Sequence, residues 1–213
     1  GLAIGDQFIR TGLYNRVLVV GAELLSSMFD YTDRGRDMAV LFADGAGAII
    51  LQVVEEGSSG LISHHLHTDG TILEGLAGEI YGSSTYPVVS KKKLDEDRAR
   101  PRMNGRQVFV HAVRRFREVI GECLEANRLT VSDVDLFIFH QANIRIIEAV
   151  ADALKIPLKK TYNNVDRYGN TAAASVPICL HEALMAGRIK EGDLILLAAF
   201  GTGFSWGASL LRW

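Results

Sequence analysis

His140 and Asn170 are the residues whose type and setting best suit chemistry. His140 closes the apolar run Leu136-Phe-Ile-Phe139, and Gln141-Ala-Asn143 opens a helical pattern behind it. In α/β sheets, ligands and catalysts gather at the carboxyl ends of strands, beside helix N-termini. A histidine placed there can hydrogen-bond a developing oxyanion or exchange a proton. The same position equally suits a histidine packed under a loop and satisfied by a backbone carbonyl. Asn170 stands in Asp166-Arg-Tyr-Gly-Asn-Thr171, ahead of Ala172-Ala-Ala174. A Gly-Asn pair before a helix reads first as a turn and cap. The small residues after it admit a backbone or a substrate at close range. Phe200-Gly-Thr-Gly-Phe204 leads into an apolar strand, so it lacks the helix of a dinucleotide fingerprint. Its N–H groups can still point into a cavity, as an oxyanion hole requires, although such turns are more often structural.

Other chemistry-bearing residues read as bland. His65 and His67 share one face of a strand while His64 faces away, and nothing at ligand spacing completes a metal set. No metal is expected. Cys123 and Cys179 fall inside helical patterns, away from the N-termini where a helix dipole favours thiolate, so neither reads as a nucleophile. Asp44-Gly-Ala-Gly47 reads mainly as a structural turn. Ten basic residues between Lys91 and Glu118 face only four acids. Such a run is commonly a solvated helix face, and otherwise a docking patch for an anionic partner.

The elements that must position these groups alternate between helix and strand. Residues 2–11 have helical spacing and end at Gly12, before the buried-type strand Arg16–Gly21. Further strands are predicted at 48–54, 60–66, 135–139, 193–199 and 204–212, and helices at 105–127, 142–154 and 171–186. Residues 68–104 form a long excursion, a lid or partner-facing loop. One unit occurs twice: Ile4–Gly12 followed by Val17–Val20 resembles Leu180–Gly187 followed by Leu194–Leu197. In both copies a glycine-rich segment then feeds a second strand. This predicts a duplicated α/β architecture whose first copy lacks its beginning.

Composition narrows the classes. The 213 residues are 48% apolar with a net charge of -2, enough for a core and too near neutral for general nucleic-acid binding. Two cysteines cannot form a disulfide framework, which points to the cytoplasm. No apolar run is long enough for a membrane span. Gly1 is not an initiator Met, so a longer chain is expected.

Four motifs in series, Asp44-Gly-Ala-Gly-Ala, His140-Gln-Ala-Asn-Ile-Arg145, Gly169-Asn-Thr-Ala-Ala-Ala-Ser-Val-Pro177 and Phe200-Gly-Thr-Gly-Phe-Ser-Trp-Gly207, resemble β-ketoacyl-acyl-carrier-protein synthase III along the whole chain. The resemblance implies a thiolase-like fold of duplicated α/β halves, with mixed sheets and buried helices. Residues 1–104 would be the remainder of the N-terminal half plus the long loop, and residues 105–213 the C-terminal half. It implies a decarboxylative Claisen condensation of an acyl-CoA with malonyl-acyl carrier protein, by a homodimer without cofactor. CoA thioester and phosphopantetheine then arrive as substrates.

In that family a Cys–His–Asn triad works. His140 and Asn170 match its His and Asn, and the backbone at Thr202 and Gly203 matches the oxyanion donor. The Cys would lie about six residues before Gly1, so this chain alone lacks the nucleophile. Phe42, Met103, Gly105, Phe109 and Asn143 match the pantetheine and acyl channel, and Arg145 the carrier-protein contact. For the CoA-binding arginine, spacing to Phe42 favours Arg36 and the Thr-Asp-Arg-Gly context favours Arg34. The alternative is a non-catalytic truncated paralogue that binds carrier protein or a synthase partner.

Overall fold

The computed structural model describes residues 1–54, 59–72, 75–77, 86–95 and 100–213. Its first elements are α1 (Leu2–Arg10), β1 (Arg16–Glu23), α2 (Arg36–Ala39), β2 (Gly45–Gln52) and β3 (Gly60–Thr68). The excursion holds β4 (Leu76–Ala77), α3 (Lys91–Asp95) and β5 (Arg102–Met103), while its residues 73–74, 78–85 and 96–99 lie outside the described set. Then come α4 (Gly105–Ala126), β6 (Leu136–Phe139), α5 (Ile144–Leu154) and α6 (Val165–Tyr168). The chain ends with α7 (Ser175–Met185), β7 (Leu194–Gly201) and β8 (Ser205–Arg212).

The repeated unit is present in both copies. β1 and β2 pair antiparallel after α1, as β7 and β8 do after α7. The larger sheet has the order β3-β8-β7-β6, with β6 parallel to β7. Its edge strand β3 comes from the segment before residue 104 and pairs with β8. On one face of this sheet lie α4 and α5, whose apolar stripes bury Phe116, Val119, Ile120, Ile147 and Val150 against Phe137, Phe139 and Leu196. Each such side chain contributes about 1.5–3 kcal/mol when fully buried. On the other face α7 places Cys179, Leu180 and Ala183 against Leu136, Ile138, Ile195 and Leu197.

Two sequence expectations are corrected by the packing. First, β1 is not buried on both faces: Leu18 is 61% exposed and Val20 57%, and the strand alternates. Its inner face is covered by α1, since a Cβ on Gly5 would lie 2.9 Å from Leu51 and 3.1 Å from Val17. No described element covers the outer face. By contrast β6 and β7, sandwiched between helices, are buried almost throughout.

Second, Gly45-Ala-Gly47 is strand rather than turn, paired with Glu23, Ala22 and Gly21. The glycines there answer a close approach. A Cβ on Gly21 would sit 2.7 Å from the Ala173 carbonyl, one on Gly45 2.8 Å from Thr171, and one on Gly47 2.7 Å from Pro177. Three glycines on one face thus let residues 171–177 lie directly against the β1–β2 pair.

Candidate active site

β6 is fully buried and ends at His140, whose backbone N–H donates to the Ala198 carbonyl at 2.8 Å and so stays in the sheet. Its ring Nδ1 lies 2.6 Å from Ser175 Oγ, at the first residue of α7. Nε2 has no hydrogen-bond partner among the described residues. Burial lowers the imidazole pKa from 6.5 to about 4, because the charged form would lose its hydration. His140 is therefore neutral at pH 7.

Asn170 is 6% exposed and held against residues 41–43, the segment that leads into β2. Its N–H donates to Leu41 O at 2.8 Å, and its carbonyl accepts from Ala43 N at 2.9 Å, flanking a parallel bridge to Phe42. Its side-chain Oδ1 accepts from Ala172 N at 3.0 Å. This is the turn the sequence suggested but not the cap, since Thr171 holds the N-cap position of the short 3-10 helix that follows; with Oδ1 committed to the turn, Nδ2 is left as the outward donor. A 3-10 turn at Ala172–Ala174 then carries the chain to Ser175.

Gln141, Ser175 and Glu182 escaped the sequence reading. Gln141 is fully buried; its Nε2 donates to Phe139 O at 2.8 Å, and its Oε1 accepts from Asn164 N at 2.9 Å and Val165 N at 3.2 Å. It ties the end of β6 to the loop that leads to Asn170. Glu182 of α7 receives Asn164 Nδ2, Arg167 Nη2 and Tyr168 Oη at 2.7–2.9 Å, which holds the same loop to the helix. A long polar side chain closing an apolar strand was the available signal for Gln141. Nothing local marked the other two.

The remaining sequence candidates divide. Phe42 sits beside Asn170 and packs against Phe29, with ring centroids 5.1 Å apart and the planes tilted by 32°. Arg34 and Met103 line one cavity of about 320 Å³ together with Arg100 and Arg102, and Arg36 is not in its lining. Arg34 Nη2 is 2.9 Å from Asp30 Oδ2. Hydrogen bonds from Thr32, then the Arg34 guanidinium, hold the Asp30 carboxyl well below the usual carboxylate range. Gly105 begins α4, where Asn104 caps through Gln107 N, and Phe109 is 37% exposed on the same helix. Asn143 caps α5 by accepting from Arg145 N at 2.9 Å, and Arg145 is exposed. Thr202 and Gly203 form the β7–β8 turn, and Gly203 has φ +144°. A wider cavity of about 1320 Å³ beside α1, β2 and Trp213 contains neither His140 nor Asn170.

The groups read as bland find structural partners. His65 and His67 turn to one side and meet Glu122 at 3.2 and 2.6 Å, while His64 turns to Ser209 and Asp6. No cluster of three metal-ligating side chains occurs among the described residues. Both cysteines are buried, and burial pushes the Cys179 thiol up to about 12. Within the basic run, Arg114 and Arg115 pair with Glu118, and Arg115 also lies over the Trp206 ring. Arg98 lies outside the described residues.

The family model described as 3-oxoacyl-[acyl-carrier-protein] synthase III matches residues 1–70, and its C-terminal counterpart matches residues 124–213. A β-ketoacyl-[acyl-carrier-protein] synthase III from Synechocystis is 45% identical over all of this chain, which spans 63% of that relative. One from Alkalilimnicola ehrlichii is also 45% identical with the same coverage. Among solved structures, the synthase III of Thermus thermophilus superposes with a TM-score of 0.89 at 43% identity, over 100% of this chain and 63% of that one. The Aquifex aeolicus enzyme gives 0.87 at 42%, over 100% and 62%. The chain therefore spans less than two thirds of the length of the relatives it matches.

Proposed function

The chain belongs to the 3-oxoacyl-[acyl-carrier-protein] synthase III family, and from that premise we propose that the complete protein condenses an acyl-CoA with malonyl-acyl carrier protein to start fatty-acid or related chains. The observation that carries the reading is a pair of preorganised, uncharged donors. His140 is neutral with Nδ1 anchored, and Asn170 has its oxygen committed to a turn.

In this mechanism the malonyl thioester oxygen sits against His140 Nε2 and Asn170 Nδ2. As the carboxylate leaves as carbon dioxide, the electron pair of the broken C–C bond moves into the thioester, and negative charge builds on that oxygen. Fixed dipoles in a desolvated site favour this charge without reorganising, which lowers the barrier. The enolate carbon then attacks an acyl thioester on a cysteine upstream of Gly1, and the cysteine sulfur leaves. The backbone N–H groups at Thr202 and Gly203 hold the oxyanion of that second step.

We assign the phosphates of CoA to the cavity that Arg34, Arg100 and Arg102 line beside Asp30 and Asp37, and the pantetheine path to Met103, Gly105, Phe109, Phe42 and Asn143. Arg145 faces the carrier protein. No cofactor is needed. We divide the chain at 104/105 into the two thiolase-like halves and assign the complete protein to the cytoplasm as a homodimer. No described helix is long and apolar enough to cross a membrane.

His140→Ala in the full-length protein tests the reading through malonyl-carrier-protein decarboxylation followed as carbon dioxide release. Near-complete loss is expected. Decarboxylation at the parental rate removes His140 from the proposed role.

A further inference from the structure

Ser175 has no part in the mechanism above, yet its hydroxyl is the group His140 touches. Ser175 is 2% exposed, and its Oγ meets two nitrogens: His140 Nδ1 at 2.6 Å and Gln141 N at 3.3 Å. The Gln141 N–H can only donate, so Oγ accepts from it. The hydroxyl has a single proton, and the ring nitrogen is its one acceptor among the described residues. Were Nδ1 itself protonated, two donors would point at Oγ and the hydroxyl proton would be stranded in a buried site, which is costly. The satisfied arrangement has Ser175 donating to an unprotonated Nδ1.

We infer that Ser175 is a positioning residue that sets the tautomer of His140, placing the ring's only hydrogen on Nε2. That nitrogen has no hydrogen-bond partner among the described residues and is the one the proposed enolate oxygen would need as a donor. The opposite tautomer would present a lone pair to a developing anion. A wrong tautomer disables a histidine whose ring position is unchanged, so the hydroxyl matters beyond packing. The inference rests on the decarboxylation reading for its consequence, but the tautomer itself is independent of activity.

The test is ¹⁵N-histidine NMR on the full-length protein at pH 7, with His140 assigned by loss of its signals in His140→Ala. The expected spectrum shows a neutral ring protonated at Nε2; a ring protonated at Nδ1 overturns the inference without any variant. In Ser175→Ala the Nδ1-protonated form is expected to appear, with malonyl decarboxylation falling roughly 10- to 100-fold, the range seen when a metal-bound histidine loses its orienting partner. Ser175→Thr keeps the hydroxyl and is expected to restore the Nε2-protonated form and most of the rate. A Ser175→Ala protein still wholly protonated at Nε2 refutes the role of the hydroxyl. If instead His140→Ala decarboxylates normally, the functional reading falls while the tautomer result stands on its spectrum.

Discussion

Replacing Gln141 by leucine asks how much of the site hangs on one buried side chain. Gln141 is fully buried and makes three hydrogen bonds, to Asn164 N, Val165 N and Phe139 O. Leucine has nearly the same volume and leaves no room for water, so three backbone groups lose their partner together. Each buried polar group left unpaired costs about 1–3 kcal/mol. Val165 N makes the longest of the three bonds, at 3.2 Å, and belongs at the low end. The expected destabilisation is about 4 kcal/mol, near the upper limit for single substitutions. Gln141→Ala removes the same bonds but opens space where a water can pair the exposed groups, so it should cost less than leucine despite its cavity. Urea unfolding of the full-length protein, at unchanged m-value, measures both. A leucine variant within about 1 kcal/mol of the parent, or one less damaged than alanine, refutes the clamp.

Three further outcomes follow from the same geometry. Gly21→Ala drives a Cβ to 2.7 Å from the Ala173 carbonyl and should cost about 1–3 kcal/mol by overpacking, with an unshifted thermal midpoint as the contrary result. Because His140 titrates near 4 when folded and near 6.5 otherwise, the unfolded chain takes up a proton first as pH falls. Its contribution is therefore complete above about pH 6.5 and is lost toward pH 4, by about 3 kcal/mol. His140→Ala lacks this slope, and a stability difference from the parent that stays constant between pH 7 and 4 would contradict it. Cys123 and Cys179, both buried with raised pKa values, should resist iodoacetamide at pH 8 until urea is added; mapping of the adducts by peptide mass spectrometry decides it.

Periodicity made the helices α4 and α5 legible, because each presents its apolar residues to the sheet at regular intervals, and continuous apolar runs made the strands β6 and β7 legible. The repeat was legible for the same reason. Burial of β1 was not: its run Val17-Leu-Val-Val20 is as continuously apolar as Leu194-Ile-Leu-Leu197 of β7, and the number of layers covering each separates the two. Gly45 and Gly47 misled in the opposite direction, since a glycine that admits another backbone looks in sequence like one that makes a turn. His140 stood out because it closes an apolar strand ahead of a helix, and Asn170 because small residues follow it, although each position also suited a structural role. Ser175 and Glu182 did not, because their meaning lies in partners 35 and 18 residues away.

Those partners show why the two copies of the repeat have to be packed together for the site to exist. Asn170 takes its backbone hydrogen bonds from Leu41 and Ala43 of the first copy, whereas His140 is held by Ser175 of the second. The segment between Asn170 and Ser175 lies on Gly21 and Gly45 of the first copy's strands. A side chain at either glycine would lift that segment and displace both anchors at once: the Asn170 amide at its start and the His140 partner at its end. Hydrogen-bond donors act on a developing oxyanion only over a few tenths of an ångström of error. The glycines of the first copy, far from His140 and Asn170 in sequence, are therefore as much a condition of the proposed donor geometry as the hydroxyl that touches the ring.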